Sequence, residues 1–297
     1  MFKHLLVPLD GTPQAEAAVS TASALAERCG ARVTLLHVIE NAAPEEIHGQ
    51  RHLRNRAEAQ PYLEKVSRQF PAGINVITHV HEERIEDVAK SLAEHEDELS
   101  PDLLVMCAHG GPRMRDILRG NLAQQTLSRG LTPILLLKGR TLPEIFQRIL
   151  APLDGNSEHD ERSLPAAAGM AALCGAELNL LYVVPEGVAQ AGRRMDVSHL
   201  LPGASQALLD LEEQDAVAYI EQRLAEVQLK VNRARGAISR GRPVDRIIEY
   251  ASGQHSDLIV LSTHGRAGTR AFWSASVASR LVSRLETAFL LVPAIED

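Results

Sequence analysis

Two aspartates stand at matched places in the chain. Asp10 lies in LLVPLDG at residues 5–11, and Asp154 lies in ILAPLDG at residues 149–155. A carboxylate just past an apolar strand can accept hydrogen bonds from a ribose hydroxyl or an adenine amine. It can equally cap the following helix by accepting from free N–H groups there. A second matched pair lies further on: CAHG at 107–110 and STHG at 262–265. Nine residues follow each, GPRMRDILR and RAGTRAFWS, and then Gly120-Asn121 and Ala275-Ser276. A glycine-bearing turn that leads into a helix can hold phosphate with its backbone N–H groups. A hydroxyl or amide at the helix start adds one more donor.

Other reactive side chains have plainer readings. His48 and His52 are four apart, and His79 and His81 are two apart. Such pairs share a face of a helix and of a strand, respectively. Four converging imidazoles could ligate zinc, but Gly49 weakens the first pair and no HExxH is present, so they are read as surface histidines and no metal ligand is assigned. His109 and His264 are read as stabilisers of their turns. Cys107 is read as a buried strand-end thiol, and its place at a turn facing a helix leaves a lowered pKa and a redox role as the alternative. The chain has no Walker A stretch, no dinucleotide fingerprint and no Gly-x-Ser-x-Gly elbow. No catalytic residue is assigned.

The elements that must place these residues repeat along the chain. After each PLDG comes an alanine-rich helical stretch ending in Cys-Gly, at 29–30 and 174–175; glycine is the usual residue just past a helix end. Two aliphatic runs follow, VTLLHVIE at 33–40 and LNLLYVVPE at 178–186. PDLLVMCAHG at 101–110 then matches SDLIVLSTHG at 256–265, and PILLLKG from 133 matches AFLLVPA from 288. The second copy carries extra residues, read as a loop near 187–206. In the first copy the pattern predicts strands near 3–9, 32–39, 73–80, 102–107 and 133–138. Helices are expected near 13–29, 45–69, 84–99 and 117–129. Aliphatic strands alternating with helices imply a parallel sheet covered on both faces. The basic stretch 230–242 alternates as an exposed edge strand would. The boundary falls near 140–147, giving domains 1–142 and 143–297.

Composition narrows the function. The 297 residues carry a net charge of −7 and only 3% aromatic side chains. Neither a broad polyanion-binding surface nor a base-stacking platform fits, so no nucleic-acid partner is expected. No signal peptide or membrane-inserting run is seen. Three scattered cysteines form no disulfide framework and fit a cytoplasmic protein.

The ordered set of PLDG, second strand, HG turn and final strand resembles the universal stress protein family, twice over. That resemblance implies two flavodoxin-like, doubly wound α/β domains, each a five-stranded parallel sheet. They would pack as an intrachain pseudo-dimer through their final strands, with a homodimer as a further option. Members that bind ATP resemble one another in a strand-ending Asp and a Gly-x2-Gly-x9-Gly-Ser/Thr signature. Carried over, adenine and ribose contacts would fall to Asp10 and Val38 and to Asp154 and Val183. Phosphate contacts would fall to Gly110, Gly120 and Asn121 and to Gly265 and Ser276. Cys107 and Ser262 replace the first signature glycine, Asn121 replaces the hydroxyl residue, and Ala275 replaces the third glycine. Phe272 and Trp273 would fill the mouth of the second turn or pack on 187–206.

The resemblance implies a cytoplasmic stress-response protein that binds an adenine nucleotide such as ATP, with Mg²⁺, in at least one domain. It would act through protein partners that the sequence does not name. A slow ATP hydrolase or nucleotide-dependent transferase is the alternative, but no second metal ligand or water-orienting group is apparent. A lipid- or protein-binding module with degenerate nucleotide sites is the third reading.

Overall fold

A computed structural model describes residues 2–40, 46–47, 50–51, 53–85, 88–108, 122–127, 129–138, 143–155, 157–185, 202–264 and 276–294. The chain divides into two compact units, Met1–Phe146 with Leu261–Asp297, and Gln147–Val260.

The first unit is built on five parallel strands: β1 (His4–Pro8), β2 (Arg32–Glu40), β5 (Val76–Ile85), β6 (Leu103–Cys107) and β7 (Ile134–Leu137). Their order is β7-β6-β1-β2-β5. The aliphatic runs explain why these segments pair in the interior. Leu5, Leu6, Val7, Leu35, Leu36, Leu104, Val105 and Leu135 are all fully buried, as strands covered on both faces require. The final strand of the chain, β12 (Ala288–Ala294), adds antiparallel to β7, with Phe289 opposite Leu136 and Leu291 opposite Ile134. The C-terminal segment, which the repeat assigns to the second copy, therefore lies in the first unit. Lys138, just past β7, donates from Nζ to the carbonyl oxygens of Val282 and Leu285. These carbonyls belong to the end of a helix, where a cation is favoured.

Helices α1 (Pro13–Glu16) and α2 (Ala18–Cys29) follow β1, and Gly30 ends α2 at φ 66°. The left-handed cap expected of the Cys-Gly pair is present, and Gly175 repeats it at the same φ. The helix expected over 45–69 is corrected: α3 runs Arg56–Ser67 only. Ahead of it, β3 (Glu46–Ile47) and β4 (Gln50–Arg51) pair as an antiparallel ribbon. The physical stop is Asn55, whose side chain accepts from Glu58 N–H at 3.0 Å and so caps α3. His48 and His52 lie outside the described residues. Strand β5 also runs five residues beyond its expected end, and α4 begins at Val88 (Val88–Leu99). Of the helix expected over 117–129, the described part is α5 (Leu122–Leu127).

The second unit repeats the plan. Strands β8 (Arg148–Leu153), β9 (Glu177–Pro185), β10 (Ala234–Gly241) and β11 (Leu258–His264, of which residues 258–260 belong to this unit) are parallel in the order β10-β9-β8-β11. As the charge pattern anticipates, β10 is the edge strand, and its Arg235 reaches Glu177 at 3.4 Å. Helices α6 (Ser157–Cys174), α7 (Pro202–Gln228) and α8 (Pro243–Gly253) accompany these strands. The loop expected over 187–206 is corrected at its end, because residues 202–206 are helical. Pro202 occupies the first helical position, where its missing N–H costs nothing, and strong helix formers follow. Residues 186–201, with Phe272 and Trp273, lie outside the described residues.

The repeat extends to a shared clasp. Asp102 accepts from the N–H groups of Lys3 and His4 at 2.5 and 2.9 Å. Asp257 accepts from those of Gln147 and Arg148 at 2.8 and 3.0 Å. In each copy the Asp before one strand thus fastens the start of its neighbour.

Candidate functional site

In the first unit strand order reverses between β1 and β6, and ligands of open parallel sheets sit beyond such a switch. Asp10 follows β1 there, and Cys107 ends β6 beside it. The thiol is pushed up to about 12, first by burial and then by the Asp10 charge. The expected buried strand-end thiol is what the structure shows, and the lowered-pKa alternative does not hold, because burial and the Asp10 charge both disfavour the thiolate.

Asp10 does not cap the next helix. Its Oδ1 accepts from the N–H of Thr12 at 2.8 Å and from the Thr12 hydroxyl at 2.7 Å. Thr12 is the cap, its Oγ1 accepting from Ala15 N–H at 3.2 Å. Asp10 thus rigidifies its turn through one oxygen while its carboxylate stays half-buried at the switch. Between them Gly11 holds φ 92°, and a Cβ there would meet Leu53 Cγ at 2.9 Å. Tyr62 of α3 stands close by. Burial first, then the charges of Glu16 and Asp10, hold its phenol well above the ordinary range. It is a neutral hydrogen-bond donor near the turn that the sequence reading missed. His37 on β2 is buried and bonds the carbonyls of Leu9 and Leu53, at 2.7 and 3.2 Å. Val38 lies next to it on β2, buried.

The second unit carries the same backbone with other side chains. Gly155 holds φ 78°, and a Cβ there would meet Tyr182 Oη at 2.8 Å. Asp154 Oδ2 lies 2.9 Å from His159 Nδ1. Asp160 takes over the turn-holding task, accepting from Gly155 N–H at 3.1 Å and from the Tyr219 hydroxyl. Burial raises the Asp160 carboxyl, with the nearby Asp154 charge adding to it and the Tyr219 bond opposing. Tyr182 and Tyr219 rings lie 5.1 Å apart, and the Arg223 guanidinium stands 5.2 Å over Tyr219. Val183 follows Tyr182, buried. His159 and Asp160 are visible in NSEHDERS, but Tyr219, the partner of Asp160, is far along the chain.

Of the signature positions, Ser262 lies on β11 between the buried Leu261 and Thr263, and its Oγ is buried without a hydrogen-bond partner among the described residues. Ser276 caps helix α9 (Val277–Arg284), accepting from Ser279 N–H at 3.2 Å. Gly110, Gly120, Asn121 and Gly265 lie outside the described residues. No helix among the described residues is long and apolar enough to cross a membrane.

A doubly wound α/β plan, written twice, with an acid at each central strand end, defines the class of fold. Within it, the universal stress protein family model matches residues 1–138 and 145–293, and the chain belongs to that family. Among curated relatives, universal stress protein MJ0577 of Methanocaldococcus jannaschii is 24% identical over 162 residues, spanning 46% of this chain and 96% of that protein. Solved structures give the same fold over the whole chain. A functionally unknown protein, PA1789 of Pseudomonas aeruginosa, matches with TM-score 0.70 and 17% identity, covering 99% of this chain and 93% of the other. A universal stress protein of Archaeoglobus fulgidus matches with TM-score 0.64 and 14% identity, covering 99% and 97%.

Proposed function

We propose that this chain is a cytoplasmic stress-response protein that binds an adenine nucleotide at the β1/β6 switch of its first unit and acts through partners rather than turnover. Asp10 would take a ribose hydroxyl or the adenine amine, and the Val38 backbone would border the base. Gly110, Gly120 and Asn121 would hold phosphate, and Mg²⁺ would accompany ATP on its phosphates. The observation that carries the reading is Asp10 and Cys107 side by side where strand order reverses. The family signature supports it: the first copy keeps Gly120, whereas the second has Ala275, whose methyl crowds an approaching phosphate. Gly265 and Ser276 of the second copy are the weaker phosphate candidates, and Asp154 is engaged by His159. Three free cysteines support a reducing compartment.

The test is mass spectrometry of small molecules released from freshly purified protein, followed by calorimetric titration with ATP and Mg²⁺. One adenine nucleotide per chain is expected. Absence of any released adenine compound, with no heat of binding for ATP, ADP or AMP up to about millimolar concentration, corresponding to roughly −4 kcal/mol, would overturn it.

A further inference from the structure

We propose that His79, His81 and His95 form a binding site for a divalent transition metal, with zinc the ion best suited to it. The site is separate from the β1/β6 switch and does not rest on nucleotide binding. His79 and His81 project from one face of β5, the edge strand of the first unit's parallel set. His95 comes from α4, sixteen residues along, and is 2% exposed. The three side chains each offer one ligand atom, and these atoms lie within 4.8 Å of one another.

The hydrogen bonds leave lone pairs facing inward. His95 Nδ1 lies 2.7 Å from the Ser91 carbonyl, to which it must donate, so its Nε2 is bare. That Nε2 lies 3.2 Å from His79 Nε2. A single shared proton could satisfy this pair, yet His81 Nε2 would remain, buried and without a hydrogen-bond partner among the described residues. One cation answers all three. Metal–nitrogen bonds of 2.0–2.1 Å place tetrahedral ligand atoms about 3.4 Å apart, close to the His79–His95 spacing. The rings are splayed rather than stacked: His79 and His81 meet His95 edge-on, at 68° and 82°.

The Ser91 carbonyl is the kind of outer partner that fixes a metal-bound imidazole in its tautomer. An all-imidazole set disfavours calcium and magnesium, which take oxygen. His79 and His81 are half-buried. Glu98, one turn past His95, lies close enough for its charge to act on His79. The opposing Arg56 is paired with Glu82. Bound metal would staple α4 to the sheet edge.

The experiment uses tag-free full-length protein stripped with a chelator. Zinc is titrated against a chromogenic competitor, and cobalt(II) is followed by its visible absorption. One zinc per chain, with a Kd below about 1 µM, and the intense bands of four-coordinate cobalt are expected. His79→Ala and His81→Ala, on a half-exposed edge, should keep the fold by circular dichroism and weaken zinc roughly a hundredfold each. His95→Asn should do the same, and His255→Asn, on an exposed turn elsewhere, should change nothing. Zinc binding no tighter than about 100 µM, weak beside structural zinc sites, would overturn the proposal. So would unchanged affinity in folded His79→Ala and His81→Ala.

Discussion

The two PLDG turns share a backbone and differ in almost everything that touches it. Gly11 and Gly155 both hold positive φ, and both sit under a side chain from elsewhere: Leu53 in the first unit, Tyr182 in the second. In the first, Asp10 secures its own turn through Thr12. In the second, that work passes to Asp160, and Asp154 turns to His159. Backbone geometry is thus held by whichever carboxylate reaches the N–H groups, while the acid at the strand end is released for another task or tied up. A matched motif therefore fixes the place of a site without fixing its chemistry.

The largest expected difference lies at the matched pair Cys107 and Ser262. With its thiol pushed up to about 12, Cys107 should react with iodoacetamide at pH 8 at least about a hundredfold more slowly folded than in denaturant. Asp10→Asn should speed it, because one of the two causes is removed. This is read by mass spectrometry in a chain carrying Cys29→Ser and Cys174→Ser. A rate equal to that in denaturant would place the thiol in solvent.

Next come the glycines. Gly155→Ala should cost about 2–3 kcal/mol in urea unfolding, from backbone strain together with the methyl driven into the Tyr182 ring. Gly11→Ala should cost about 1–2 kcal/mol, because the methyl meets one flexible Leu53 side chain that can shift, and not an aromatic ring. Tyr182→Phe in the Gly155→Ala background should recover part of the loss. Equal costs at both sites would show that strain alone matters.

Asp160 gives the second unit a pH signature of its own. Its carboxyl is raised in the folded state, so the folded chain binds this proton more tightly than the unfolded chain. Its contribution is complete below the ordinary carboxylate value and is lost as pH rises through the raised one. Asp160→Asn should keep the acceptor for Gly155 and flatten the fall in stability over that window. The slope of midpoint against pH, variant minus parent, checks this. The smallest contrast is at the clasps: Asp102→Ala and Asp257→Ala should each cost about 1–2 kcal/mol and match each other closely. A clear inequality would show that the repeat is not energetically symmetric there.

Much of this was legible in the sequence for a physical reason. Uninterrupted aliphatic runs such as ILLL at 134–137 can only be buried strands, and Cys-Gly must end a helix. The acids and the HG turns sit at fixed distances from those runs, so the place of the site followed. What the sequence hid depends on contacts between distant elements. Tyr219 meets Asp160 from another helix, and His95 meets His79 across a strand–helix join. The ribbon at 46–51 was misread because Glu and Ile at short spacing mimic a helix face, and the Asn55 cap with Glu58 three residues on was the overlooked stop signal.

The most direct test of the contrast between the units is ATP affinity by calorimetry in the parent, Asp10→Ala and Asp154→Ala chains. The expected result is a loss of at least about tenfold, equivalent to 1.4 kcal/mol, in Asp10→Ala and affinity within about twofold of the parent in Asp154→Ala. The reverse order, or equal losses in both, would contradict the assignment of the nucleotide to the first unit.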